Sequence, residues 1–123
     1  MTIKEILEIL EAEIITGSEY LDMEIKIGCA SDLMSDVLAF AKPDSILLTG
    51  LVNPQVVHTL DMADIKVVCF VRGKKPGEKM ISMAKMLDIV VLITTLPMFE
   101  SSGRLYKKGL PGLGYLDINK RDG

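Results

Sequence analysis

Three apolar runs, at residues 45–50, 66–73 and 89–95, each end in small or charged polar residues with a proline close behind: Pro54, Pro76 and Pro97. Val, Ile, Leu and Phe dominate these runs without alternation, as strands covered on both faces of a sheet require. Each proline marks the entrance of a helix, since the first helical position needs no N–H and matches proline's fixed φ. The prolines recur at roughly 21 residues, room for one strand, one three-turn helix and two short turns, the parallel strand–helix–strand unit. Residues 45–49, 67–71 and 89–93 are therefore expected as interior strands of a mainly parallel sheet.

The rest of the chain fits the same plan. Ile3, Ile6, Leu7 and Leu10 follow the period of an amphipathic helix, with Thr2 as cap and Glu5 three residues on. Residues 13–16 read as a short strand ended by Gly17-Ser18, and residues 19–24 as an acidic loop or hairpin arm. A strand at 25–29 precedes a helix from Asp32 to about Ala41, capped by Ser31, stopped before Pro43 and burying Met34, Val37, Leu38 and Ala41. The last helix runs from Pro97 to about Lys107 and carries Phe99, Ser102, Gly103 and Tyr106 on one side. About five strands and five helices in strict alternation predict an α/β fold of three layers, a mainly parallel sheet with helices on both faces. The domain is expected to span residues 1–108, followed at 109–123 by a glycine-rich tail whose last residues, Lys120 to Gly123, are disordered or loosely docked.

Composition narrows the function classes. The chain has 123 residues, enough for one domain with a real core. Its hydrophobic content of 49% exceeds the usual globular band once glycine is counted in place of tyrosine, and a self-association surface is the economical outlet. A net charge of −3, scattered basic residues and no Trp argue against a nucleic-acid partner. The first residues are charged and periodic, unlike a signal peptide, and no apolar stretch is long enough to span a bilayer. Cys29 and Cys69 read as free thiols in a reducing cytoplasm.

Ligands of open α/β sheets bind beyond the carboxyl ends of the strands, where helix N-termini also point. Those ends carry Ser31-Asp32, Thr49-Gly50 with Asn53 beyond, Arg72-Gly73-Lys74 and Thr94-Thr95. Helix ends, a row of hydroxyls and two cations form either a set of caps and turns or a crevice for a phosphate or carboxylate. Sharper motifs fail on spacing. Gly73-Lys74 hints at a phosphate loop, but Val68 stands where the first glycine belongs and Lys75 where Ser or Thr belongs. Gly109, Gly112 and Gly114 lie after the last helix, outside the setting of a dinucleotide fingerprint. His58, the single histidine, sits on a helix and reads as solvent-facing, so neither a metal set nor an activated Ser101-Ser102 is indicated. Asp22 and Glu24 read as solvated loop carboxylates. No cofactor is expected. Met80, Met83 and Met86 recur every third residue on one helix and serve either the core or a subunit contact, since methionine adapts to irregular surfaces. Met80 and Met83, with Ser102-Gly103 where another backbone can approach, are the candidates for a homodimer interface.

Two stretches carry a resemblance. Gly28-Cys29-Ala30-Ser31-Asp32-Leu33-Met34-Ser35-Asp36-Val37-Leu38, followed by Leu47-Leu48-Thr49-Gly50-Leu51-Val52-Asn53-Pro54, resembles the stand-alone DRTGG-domain proteins. The second half, with Phe70-Val71-Arg72-Gly73, Lys75-Pro76 and Ile93-Thr94-Thr95, is similar to the N-terminal domain of HPr kinase/phosphorylase. The resemblance covers roughly residues 1–108 and rests on the order and spacing of short motifs. It implies an α/β regulatory or oligomerising module, and no kinase activity, because the relatives' catalytic domain and its phosphate loop have no counterpart here. Leu51-Val52-Asn53 stands where the family's Asp-Arg would follow the glycine, so no role of that pair is carried over. The expectation is a cytoplasmic, non-catalytic regulatory or accessory module that forms a homodimer, senses a small anionic ligand and has room for a protein partner of unidentified kind. The alternatives are a small enzyme acting on a phosphorylated or carboxylated substrate at the same edge, and a scaffold without a ligand.

Overall fold

A computed structural model describes residues 1–114. Its elements in chain order are α1 Ile3–Leu10, β1 Glu13–Thr16, a 3-10 turn Ser18–Tyr20, β2 Ile27–Ala30, α2 Met34–Phe40, β3 Ser45–Thr49, α3 Pro54–Met62, β4 Val67–Phe70, α4 Glu78–Met86, β5 Val90–Ile93 and α5 Met98–Lys107. The five-stranded sheet has the order β1-β5-β4-β3-β2. All neighbours are parallel except β1, which runs antiparallel to β5. The three expected interior strands are interior, and the α/β three-layer fold holds. The expected strict alternation breaks once, between β1 and β2, where a 3-10 turn replaces a helix.

The absence of alternation in the apolar runs has a direct cause. Leu47, Val68, Phe70, Val91 and Ile93 pack on one face of the sheet with α2, α3 and α4. Ile46, Leu48, Val67, Cys69, Val71, Val90 and Leu92 pack on the other with α1 and α5. Period two is present in the strands, but both faces demand apolar side chains. Because β2 to β5 advance across the sheet in one direction, the single handedness of parallel crossovers puts α2, α3 and α4 on the same face. The place beyond β5 is held by β1, and the chain leaves β5 for the opposite face to form α5.

Local chemistry sets the helix ends. Thr2 and Glu5 form a reciprocal capping box at α1. Pro54 occupies the first turn of α3 behind the cap Asn53, whose side chain accepts from the Val56 N–H at 3.3 Å. The other two prolines stand slightly earlier than expected: Pro97 is itself the N-cap of α5, and Pro76 precedes the cap Gly77 of α4. The helix expected from Asp32 begins at Met34, because the Ser31 hydroxyl takes the Leu33 N–H at 3.0 Å in a local turn. Its expected stripe also narrows. Met34 and Val37 are buried, whereas Leu38 is 43% exposed, since α2 rests at the margin of the sheet beside α3.

At the sheet's antiparallel edge a bulge between Ile14 and Thr16 is filled by a side chain. The buried Thr16 hydroxyl donates to the Ile89 carbonyl at 2.7 Å and accepts from the Val91 N–H at 2.9 Å. At the other edge residues after 108 pack back against the sheet. Leu110 is buried in the α1/α5 core, the Gly28 N–H donates to the Pro111 carbonyl at 2.8 Å, and Gly112 bridges Gly28 in parallel. Residues 109–112 thus cover part of the open side of β2. The reading of Lys120 to Gly123 falls outside the described residues.

Candidate functional site

The connections after β2, β3 and β4 lead to helices on one face, and the connection after β5 leads to a helix on the other. The paths diverge between β4 and β5, so the topological switch point of the sheet lies beyond the ends of those two strands. Arg72-Gly73-Lys74 and Thr94-Thr95 flank it, and Thr49-Gly50 ends the adjacent strand β3. The structure therefore brings most of the expected residues to one margin, in two groups.

The first group is built around Asp32. Its Oδ1 accepts from the Thr49 hydroxyl at 2.8 Å and from the Gly50 N–H at 2.7 Å, and Thr49 Oγ1 accepts in turn from the Leu51 N–H at 3.2 Å. The Gly50 N–H chiefly holds the Asp32 carboxyl below its ordinary range, partial burial opposes it, and the Thr49 hydroxyl and the Lys74 charge reinforce it. Asp32 is thus an ionised carboxylate tying the β2–α2 connection to the end of β3. Asn53 acts as the cap of α3 and Ser31 as a turn former, both through their own backbone neighbourhood.

The second group lies at the switch point itself. Arg72 and Gly73 are both left-handed, with φ of 64° and 73°. A non-glycine residue in that region costs about 1 kcal/mol or more, so surrounding bonds must hold it there. The Arg72 N–H donates to the Leu96 carbonyl and the Gly73 N–H to the Thr94 carbonyl, each at 2.9 Å. This pins the turn after β4 to the end of β5 and leaves Arg72, Lys74 and Lys75 exposed. Thr94 belongs elsewhere: it is buried, its hydroxyl donates to the Leu10 carbonyl at 2.6 Å, and it accepts from the Leu96 N–H at 3.2 Å. Thr94 therefore anchors the end of α1, and Thr95 alone of that pair is exposed.

The expected interface residues also separate. Met80 is buried in the core, so its side chain serves the fold and not a contact between copies, and Met83 is half-buried against that core. The methionine that faces outward is Met86, 84% exposed. On α5, Ser101 and Leu105 face inward, while Ser102 and Gly103 lie between Phe99, 85% exposed, and Tyr106, 70% exposed. Beside this stripe, between α5 and the β2 edge, lies a small apolar cleft of about 100 Å³ lined by Cys29, Leu48, Ser102, Tyr106 and Leu110 among others. Sequence reasoning missed it. The signal was Gly28, which faces Leu110, with the cleft opening alongside. Burial, with Asp36 adding, pushes the Cys29 thiol up, and burial pushes that of Cys69 up to about 12. His58 is exposed in the middle of α3. Among the described residues no helix is long and apolar enough to cross a membrane.

No protein-family model matches the chain, and no curated protein matches it. Among solved structures the fold is similar to the crystal structure of the CBS and DRTGG domains from the regulatory region of a Clostridium perfringens pyrophosphatase, complexed with its activator diadenosine tetraphosphate. The TM-score is 0.69 at 21% identity, over 89% of this chain and 47% of that one. This chain thus spans about half the length of its structural neighbour. The likeness is one of α/β fold, to a structure that includes a DRTGG domain, and supports a DRTGG-like fold.

Proposed function

We propose that the chain is a cytoplasmic, non-catalytic regulatory module that pairs with a second copy of itself and senses a small anionic ligand at the carboxyl ends of its strands. The observation that carries the reading is the pinned turn after β4. It places exposed Arg72 and Lys74 beside the switch point, at the cost of a left-handed arginine. The carboxylate and the two hydroxyls at the ends of β3 and β5 are already engaged. Asp32 accepts two hydrogen bonds, and the hydroxyls of Thr49 and Thr94 donate to Asp32 and to the Leu10 carbonyl. What faces outward is positive charge and Thr95, which suits binding better than proton transfer. The fold's occurrence in a regulatory region that was crystallised with a nucleotide activator supports a sensing role. A relation to the N-terminal domain of HPr kinase/phosphorylase belongs to the same reading.

The test is calorimetric titration of nucleotides, pyrophosphate and dicarboxylates into wild type and Arg72→Ala. Loss of one charge-assisted hydrogen bond, roughly 1.5–3 kcal/mol, should weaken binding about tenfold or more. Equal binding by both proteins would put the site elsewhere, and no binding at millimolar ligand would leave a scaffold. Native mass spectrometry of the purified protein reports the copy number and any retained ligand together.

A further inference from the structure

We infer that Asp32 is a built-in competitor for the anion site: its carboxylate occupies, from within the chain, the place at Thr49 and Gly50 that an anionic oxygen of the ligand takes, and yields it on binding. The inference rests on the reading above that an anion binds at these strand ends. A backbone N–H at a strand's carboxyl end, a hydroxyl and a nearby ammonium are the donors such an oxygen needs. Here the Gly50 N–H at 2.7 Å and the Thr49 hydroxyl at 2.8 Å converge on a single oxygen, Oδ1 of Asp32, within the field of Lys74. The site already holds an anionic oxygen, and it belongs to the protein.

A ligand oxygen arriving there meets occupied donors and a like charge, so the two anions exclude each other. Asp32 is able to leave. It is exposed, its two bonds run through one oxygen, and it sits on the short connection 31–33. The helix that follows, α2, has no side-chain cap and buries only Met34 and Val37. Released from β3, this segment is held to the sheet by the Ser31 N–H on the Leu48 carbonyl and by Met34 and Val37, while Leu33 before α2 and Leu38 and Phe40 on it are exposed. Occupancy at the strand ends is thereby coupled to the apolar side of α2, which gives the module an output as well as an input.

The experiment measures binding of inorganic pyrophosphate and of malonate by calorimetry to wild type, Asp32→Asn and Asp32→Ala, with hydrogen exchange followed over residues 31–40. Removing an internal competitor raises the binding-competent fraction, so Asp32→Ala should bind at least one probe about tenfold tighter than wild type, with Asp32→Asn between them. Exchange over residues 31–40 of wild type should speed up when that probe is added. Binding by Asp32→Ala alone, with wild type below detection, supports the inference equally. Wild type binding as tightly as, or more tightly than, both variants overturns it while the anion reading stands. No binding by any of the three at millimolar probe overturns both. Asp32→Asn, nearly isosteric, gives the same ordering if Asp32→Ala does not fold.

Discussion

Thr49 ends β3 and Thr94 follows the last residue of β5, with β4 between the two strands, and their hydroxyls do different work. The Thr94 hydroxyl satisfies the Leu10 carbonyl and the Leu96 N–H from a buried position. Thr94→Val should therefore destabilise the fold by about 1–3 kcal/mol, since it strands backbone groups away from water. Urea unfolding checks this, and an unchanged midpoint would refute it. Asp32 adds a pH dependence whose sign is fixed. Its carboxyl is held below its ordinary value, so its stabilising contribution is complete above about pH 4 and fades as pH falls through the lowered value. Asp32→Asn should lose that part of the acid sensitivity, giving a shallower fall of stability below about pH 4 than wild type. The residue types at these strand ends were legible in the sequence as caps, turns or ligand contacts. The choice among them was not, because partners such as Leu10 for Thr94, or Thr49 and Gly50 for Asp32, come from distant parts of the chain. Arg72 was legible as a cation, but its left-handed backbone arises from bonds to the end of β5 that no local pattern encodes.

The elements divide in the same way. Strands β3 to β5 could be read directly, because burial on both faces removes alternation and the following prolines fix the period. The helix faces were harder. Met80 looked available for an interface but is consumed by the core, and α2 buries less than its pattern suggested, since a helix at the margin of a sheet has fewer surfaces to cover. Of the expected interface residues, Gly103 is the one that is exposed, on the outward side of α5 between Phe99 and Tyr106. If copies meet there, Gly103→Glu and Phe99→Glu should shift the protein toward monomer in sedimentation while leaving the unfolding midpoint within about 0.5 kcal/mol of wild type, as expected of exposed positions. A dimer that persists in both variants would place the contact on another surface. Met83→Glu is a poor probe of the same idea, because Met83 packs against the core and its loss would be felt as unfolding.

For the molecule as a whole, the open side of β2 is closed in part by the chain's own continuation at 109–112. Leu110 is the apolar anchor of that cover, and Leu110→Ala should cost about 2–4 kcal/mol in equilibrium unfolding by removing a buried side chain. A change below about 0.5 kcal/mol would mean that the segment rests on the domain without contributing to it. The strand order carries a different consequence. Strands β1 and β2 follow one another in the chain but stand at opposite ends of the sheet, and β1 pairs with β5 through Glu13↔Ile93. During synthesis β1 emerges with no partner, and it can be matched only after β5, at residues 90–93, has been made. Such distant pairings are slow to close, and β1 is tied to one of them. The interval in which β1 stays unpaired and the apolar side of α1 uncovered is set by this topology, because the partners β5 and α5 are made last among the described elements.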